Sequence, residues 1–212
     1  MSDSPARSLR ARNQQRARDE IVEAAYLLFA ERGYTEVTVP DIAERAGVGR
    51  TTFFRYFGDK QEVVFAGEEE WLETVGQWHG QWHRERTVAE SPMPPSLPEA
   101  LALVRETAMR ICAKVTQDPA RYVVRERLID QNPELGDRAA RKQRRFAETI
   151  GEILREQGAS AQTVALAPQL ALACYNAGRE MAAGDPAKLG PSVRAAFDRL
   201  EVAQAGNSEA SE

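Results

Sequence analysis

Apolar residues recur along most of the chain with the spacing of an α-helix. In the first strong segment, over about 13–32, they follow the i, i+3, i+4, i+7, i+8 pattern that lines one helical face: Ile21, Ala24, Ala25, Leu28 and Phe29. The sequence has no convincing two-residue alternation and no internal repeat. This pattern predicts an all-α protein of about nine helices.

Turn and cap residues divide the first part of the chain. Gly33 ends the first helix, Thr38 caps a short second helix, and Gly47 provides the turn to a third helix over about 50–57. A long fourth helix is predicted over about 60–85. Three short helices bury little apolar surface, so they must pack against the residues that follow.

Prolines and caps divide the remainder. The stretch 87–98 holds four prolines and is typical of a loop, and Ser96 and Glu99 have the spacing of a capping box that opens the fifth helix. The later helices are predicted over about 119–131, 133–157, 160–183 and 192–204, with Gly190-Pro191 as a turn. We therefore predict a helix-turn-helix head over 10–60, a helical body over 61–205, and disordered ends at 1–9 and 206–212.

The segment 38–60, TVPDIAERAGVGRTTFFRYFGDK, carries the most specific pattern in the chain. Two short helices joined by a glycine turn form a helix-turn-helix arrangement, whose second helix enters the major groove of DNA. Its predicted outward face carries hydroxyl, guanidinium and phenol groups and no acid: Arg50, Thr51, Thr52, Arg55 and Tyr56. Lys60 starts the next helix, where backbone N–H groups favour a phosphate. The segment predicts contact with double-stranded DNA.

The charge distribution agrees with this prediction when it is counted by segment. The whole chain has a net charge of −4, but residues 1–60 hold ten basic and nine acidic side chains, whereas residues 61–212 hold eighteen and twenty-three. Five arginines and one aspartate lie within residues 1–18, either as an arm that reaches DNA or as a solubilising tail. The acidic excess therefore belongs to the predicted body.

Several other classes are disfavoured. Cys112 and Cys174 lie far apart, which argues against a zinc ribbon or a disulfide framework and for two small buried residues. Neither a membrane span nor a secretory signal is present, so we expect a cytoplasmic protein without membrane contact. The sequence contains no phosphate-binding loop, nucleophile elbow or paired carboxylates that would indicate catalysis. We therefore expect neither an enzyme nor a cofactor. The alternative is a helical enzyme or ligand carrier that retains a helix-turn-helix head.

Residues 21–63 resemble the DNA-binding domain of TetR-family transcriptional regulators, through the words AAYLLFAERGY, TVPDIAERAGV and FFRYFGDKQEV. The resemblance covers about a quarter of the chain, and helices five to nine match in helical organisation alone. It implies a homodimeric repressor or activator whose C-terminal body binds a small molecule. We predict a repressor that binds palindromic DNA and is released by a small molecule bound in the body, with an activator as the alternative.

The resemblance also implies DNA contacts by position: Thr38, Arg50, Thr51, Thr52, Tyr56 and Lys60. Three positions depart from the family's pattern. Gly49 stands where Ser or Thr is frequent, and Thr51 replaces a frequent Gly. Phe54 stands where the family very often has a Tyr, whose hydroxyl reaches a phosphate, so this contact is missing here.

The predicted fourth helix carries an aromatic stripe and a histidine pair. Trp71, Trp78 and Trp82 fall on one stripe, either as core residues or as the wall of an apolar ligand pocket. His79 and His83 have the i, i+4 spacing of two metal ligands, but the sequence offers no third. We predict no metal site and keep a metal-responsive sensor as the alternative.

Two basic groups lie in the predicted body. Residues 138–145, RAARKQRR, form either a solvated helix face or a landing site for an anionic ligand or partner. Arg121, Arg125 and Arg127 on the sixth helix would suit an acyl-CoA-like effector beside an apolar tunnel, and a purely apolar effector is the alternative.

Helices eight and nine carry stripes rich in small residues, which predict a four-helix dimer interface or, alternatively, packing within one chain. The stripes comprise Leu170, Ala173, Cys174, Ala177, Met181, Val193, Ala196, Phe197 and Leu200. A dimer would place two recognition helices about 34–36 Å apart, the spacing at which they read a palindrome.

Overall fold

The computed structural model describes residues 5–67 and 94–209, with side chains over 12–67 and 94–200. These residues form nine helices and no strand, which confirms the predicted all-α fold. The helices are α1 (Pro5–Arg32), α2 (Val39–Arg45), α3 (Arg50–Tyr56), α4 (Lys60–Val64), α5 (Leu97–Val115), α6 (Pro119–Gln131), α7 (Pro133–Glu156), α8 (Ala161–Ala182) and α9 (Pro186–Glu209).

The chain separates into two compact units, residues 1–67 and 68–212. The first unit, which we call the head, extends beyond the predicted boundary at residue 60 because α4 packs inside it. Val63, Val64 and Phe65 are buried, and the Tyr26 hydroxyl of α1 donates a hydrogen bond to the Val64 carbonyl at 2.9 Å. The second unit is called the body below.

The predicted fourth helix differs from the structure in length. It was expected to run to about residue 85, but α4 ends at Val64, where the chain leaves helical geometry so that Phe65 can enter the head core. Gly67 follows with a φ of +93°, a left-handed conformation that glycine adopts without strain. Residues 68–93, including Trp71, Trp78, Trp82, His79 and His83, lie outside the described ranges.

The head is built on the buried face of α1. Ile21, Leu28 and Phe29 are each at most 3% exposed, and α2 and α3 contribute Ile42 and Phe53, both fully buried. The N-terminal part of α1 is longer than predicted, since the helix begins at Pro5 and includes residues expected to be disordered. Proline is favoured at the first helical position, and the Ala, Arg and Gln residues that follow are good helix formers.

The body core is formed by α5 to α9. Leu103 and Val104 of α5, Tyr122 of α6 and Leu154 of α7 are buried, with Ala167 of α8 between them. Pro168 lies inside α8, and the helix is continuous through it. The Ser96–Glu99 capping box at the start of α5 is confirmed, because the Ser96 amide and hydroxyl each donate to the Glu99 carboxylate at 2.8 Å.

The last helix begins earlier than the sequence predicts. Gly190-Pro191 was expected to be a turn, but both residues lie within α9. Leu189, Val193 and Phe197 recur at i, i+4, i+8 and are each at most 1% exposed, so one buried stripe crosses the proline. This burial offsets the missing proline N–H.

Within the residues the structure describes, no helix is long and apolar enough to cross a membrane.

Candidate nucleic-acid interface and ligand cavity

The turn between α2 and α3 fixes the direction of the recognition helix α3. Gly47 has a φ of +65°, and the Val48 amide donates to the Ala43 carbonyl at 2.9 Å. Phe53 of α3 is fully buried, as is Ile42 of α2. The two short helices therefore hold each other through the head core, as the helix-turn-helix prediction requires.

The predicted reading face is largely exposed in the structure. Arg50, Thr51 and Arg55 are exposed, whereas Thr52 and Tyr56 are half-buried. The Arg55 guanidinium lies 5.0 Å from the centre of the Tyr56 ring and donates to its hydroxyl at 3.3 Å. No acidic residue occurs in α3, so its outer surface presents hydrogen-bond donors of the kind that contact phosphates and base edges.

The outward-face prediction omitted Phe54, which is 54% exposed and lies on the same face as Arg50, Thr51 and Arg55. The helical spacing of the neighbouring buried residues could have predicted the exposure of Phe54. Phe53 and Phe57 are buried at i, i+4, so the next residue must point away from the core. An exposed aromatic ring among polar side chains can contact the methyl group of thymine.

Thr38 lies at the N-terminus of α2, where it is exposed and forms a capping box with Asp41. The Thr38 amide donates to the Asp41 carboxylate at 2.8 Å, and the Asp41 amide donates to the Thr38 hydroxyl at 3.4 Å. The hydroxyl and the amide of Thr38 both donate to this carboxylate and lower the pKa of Asp41 below its usual range. The predicted cap is confirmed, and it places Thr38 at the positive end of a helix.

Lys60, which is predicted to contact a phosphate, makes contacts within the head in this structure. Its ammonium group donates to the backbone carbonyls of Tyr34 at 2.7 Å and Val37 at 2.8 Å, and lies 4.1 Å from the centre of the Tyr34 ring. The half-buried side chain therefore joins α4 to the loop between α1 and α2. The geometry assigns Lys60 a structural role within the head.

The body contains a cavity of about 400 Å³ between α5, α6, α7 and α8. Its apolar lining includes Val104, Ile111, Val115, Phe146, Ile150 and Leu172. Polar groups that line it include Thr107, Gln143 and Tyr175 as well as the cations Arg125, Lys142 and Arg145. This volume and apolar character are typical of small-molecule sites.

A buried carboxylate lies beside the cavity on α6. Glu126 is 4% exposed and accepts a hydrogen bond at 2.9 Å from Arg125, which lines the cavity. Its other oxygen accepts from Nε of Arg179 on α8, which also contacts Asp130 at 3.3 Å. Burial, and to a lesser degree the Glu126 charge, raise the pKa of Tyr122, one helical turn earlier.

Of the described residues predicted to bind an effector, Arg125 lines this cavity and Arg121 does not. Arg121 is exposed on α6 and pairs with Asp118 at 3.5 Å, outside the described lining. The three tryptophans lie outside the described residues.

Both cysteines are buried free thiols, and burial raises the pKa of Cys112 to about 12. Among the described residues, no group of three or more His, Cys, Asp or Glu side chains could hold a metal ion.

The residues predicted for a dimer interface divide into three groups by burial. Cys174, Val193 and Phe197 are buried in the body's own core, which favours the alternative of packing within one chain for these three. Leu170, Ala196 and Leu200 are half-buried against that core. Ala173, Ala177 and Met181 are exposed and follow one stripe along α8.

Comparison with known proteins bears mainly on the head. Residues 21–66 match the family model described as bacterial regulatory proteins, tetR family. The regulator TcmR of Streptomyces glaucescens is 45% identical over 56 residues, which are 26% of this chain and 25% of TcmR. The repressor KstR2 of Mycolicibacterium smegmatis is 34% identical over 77 residues, 36% of each chain. The chain thus spans about a quarter to a third of the length of these relatives.

Solved structures resemble the chain over a greater length. The complex of SmeT with triclosan has a TM-score of 0.56 at 19% identity, and covers 88% of this chain and 90% of that one. The complex of Bacillus subtilis FadR with stearoyl-CoA has a TM-score of 0.52 at 20% identity, and covers 85% and 96%. At this identity the likeness shows the fold. Residues 21–66 are therefore similar to the bacterial regulatory proteins of the tetR family, and the chain shares an all-helical fold with these solved structures.

Proposed function

We propose that this protein is a ligand-responsive homodimeric transcriptional regulator that binds palindromic DNA through α3 and acts as a repressor. The observation that carries the proposal is the exposed face of α3, where Arg50, Thr51 and Arg55 stand without an acidic neighbour in the helix. In a chain with more acidic than basic residues, such a face fits a polyanionic partner. Relatives that match the head are named as regulators and repressors.

The effector is a small molecule bound in the cavity of the body. The cavity's apolar lining supports this role, and structures of similar fold contain triclosan or stearoyl-CoA. Binding would favour a dimer state in which the two recognition helices no longer match the half-site spacing. A ligand with equal affinity for both states shifts nothing, so an effector must bind the released state more tightly.

DNA binding is tested by fluorescence anisotropy, with the duplex immediately upstream of the protein's own coding sequence and a scrambled duplex. Specific binding should weaken steeply with salt, because each neutralised phosphate releases counterions. Arg50→Ala should weaken specific binding by about tenfold, the range expected for one lost contact. Arg127→Ala removes the same charge from an exposed position on α6 and serves as the matched control.

Two outcomes would contradict the proposal. Equal losses in Arg50→Ala and Arg127→Ala would mean that α3 is not the reading helix. Absence of salt-dependent binding to either duplex would favour an enzyme or ligand carrier that retains a helix-turn-helix head.

A further inference from the structure

The cavity of the body combines an apolar interior with charges of one sign. Three cationic side chains line it, Arg125 from α6 and Lys142 and Arg145 from α7. None of the described residues that line it is an aspartate or a glutamate. Lys142 and Arg145 belong to the basic stretch 138–145, for which the sequence left an anionic ligand as one alternative. Such a cavity fits a molecule with an apolar part and a negative group.

The three cations differ in their access to water. Arg145 is exposed and Lys142 is half-buried, whereas the Arg125 side chain is only 17% exposed. A pair formed with Arg125 is therefore screened least by solvent. Its planar guanidinium also matches the two oxygens of a carboxylate or the oxygens of a phosphate. Arg125 is the residue on which an acid group would bind most specifically.

Arg125 is also linked to α8 through one carboxylate. Glu126 accepts from Arg125 at 2.9 Å and from Arg179 of α8 through its other oxygen. An acid group that pairs with Arg125 comes close to the Glu126 carboxylate, and the two like charges repel. A bound acid group would thus weaken the contact between Arg125 and Glu126, so that Arg179 remains the main partner of Glu126.

We infer that this cavity binds a small amphipathic anion whose acid group pairs with Arg125 in competition with Glu126. The inference depends on the proposed function for its regulatory meaning, but the binding itself does not. A volume of about 400 Å³ corresponds to about 13 water-sized volumes. A saturated tail of roughly a dozen carbons fills that space, so the coenzyme A part of an acyl-CoA would remain outside it.

Binding is measured without DNA, by isothermal titration of the full-length chain with dodecanoate, dodecyl phosphate and dodecanol below their aggregation limits. At least one of the two anions should bind at least tenfold more tightly than the neutral alcohol, and the tighter anion identifies the acid group. From octanoate to dodecanoate the affinity should rise by about fourfold per methylene, and hexadecanoate should gain little more. Equal affinity for dodecanoate, dodecyl phosphate and dodecanol would overturn the inference. Binding of lauroyl-CoA without binding of either anion would overturn it as well.

Variants at neighbouring positions test the competition. Arg125→Gln should weaken binding of the preferred anion at least tenfold, whereas Arg121→Gln, on the same helix but outside the described lining, should leave it unchanged. Glu126→Gln removes the competing charge and keeps an oxygen for Arg179, so it should tighten binding several-fold. Weaker binding in both Arg125→Gln and Glu126→Gln would mean that the pair merely supports the fold. Should Glu126→Gln not fold, Arg125→Lys provides the second test, because it should keep the preference for the anion over dodecanol; loss of that preference refutes the pairing.

Anisotropy titrations of DNA, repeated with the tighter-binding anion present, separate this inference from the proposed function. If an anion binds and DNA affinity does not change, the regulator proposal fails and the cavity assignment stands. If DNA binding is specific and neither anion binds, the cavity assignment fails and the regulator proposal stands.

Discussion

At the residue scale, Lys60 makes contacts within the head that its position along the chain does not reveal. Its place at the start of α4 predicts a phosphate contact, yet its ammonium group lies against the carbonyls of Tyr34 and Val37. Those carbonyls belong to residues far earlier in the sequence, so spacing along the chain could not reveal them. The consequence is that Lys60 should contribute to the stability of the head.

We therefore expect Lys60→Met to destabilise the protein. The substitution keeps the apolar stem but leaves two carbonyls without the ammonium donor and removes the contact with the Tyr34 ring. Together these losses should cost about 1–3 kcal/mol in the free energy of unfolding. Thermal unfolding followed by circular dichroism measures this, with Lys114→Met, an exposed lysine of α5, as control. Unchanged stability together with weaker DNA binding would instead make Lys60 the phosphate ligand that the family resemblance implies.

At the element scale, the crossing of α8 and α9 depends on one glycine. A Cβ placed on Gly178 would lie 2.5 Å from Cγ2 of Val193 and 2.6 Å from its Cα and its amide nitrogen. Helix α8 therefore approaches the backbone of α9, and not merely a side chain, at this point. Such an approach is possible because glycine has no Cβ.

Gly178→Ala should consequently destabilise the body by about 3 kcal/mol or more, since a methyl group without space forces the helices apart. Gly136→Ala is the matched control within α7, where the nearest atom to a new Cβ is the Ile129 carbonyl oxygen at 3.7 Å. There alanine should be neutral or stabilising by up to about 1 kcal/mol, because it favours a helix more than glycine does. Urea denaturation of both variants measures the difference. Equal stability of the two variants would contradict the close approach.

The elements differ in how far the sequence could predict them. The helix-turn-helix of the head follows from local signals, such as the Thr38 cap, the Gly47 turn and the spacing of Phe53 and Phe57. The early start of α9 required knowledge of what Leu189 packs against, because a proline signal opposed it. The contacts among Arg125, Glu126 and Arg179 join α6 to α8 and depend on tertiary packing. From the sequence alone, Arg125 could not be distinguished from the other arginines that were predicted to bind an effector.

At the scale of the whole molecule, the proposed dimer requires an apolar surface that the chain's own core does not cover. Ala173, Ala177 and Met181 form an exposed stripe on α8, and Met181 is 46% exposed. Small side chains permit close packing of helices in a second copy. Two copies would bring two α3 helices to one palindrome, which a single short helix cannot read with comparable affinity.

Ala177→Glu should therefore convert a dimer to a monomer and weaken binding to palindromic DNA, while the fold remains intact because the position is exposed. Light scattering coupled to size-exclusion chromatography measures the mass, and circular dichroism checks the fold. Ala102→Glu, an exposed alanine of α5, is the control for the added charge. A mass that stays dimeric in Ala177→Glu would place the interface elsewhere.

The contact between Gly178 and Val193 also has a genetic consequence. Two of the three atoms that a Cβ at position 178 would meet are the Cα and the amide nitrogen of Val193, which every amino acid retains. No substitution at position 193 can then relieve Gly178→Ala. A selection for restored folding of the Gly178→Ala protein should recover true revertants at codon 178, and local suppressors at codon 193 should be absent. At Gly190 the nearest atom is Cε of Met109, at 3.6 Å, so a bulky substitution there should be suppressible by trimming that flexible side chain.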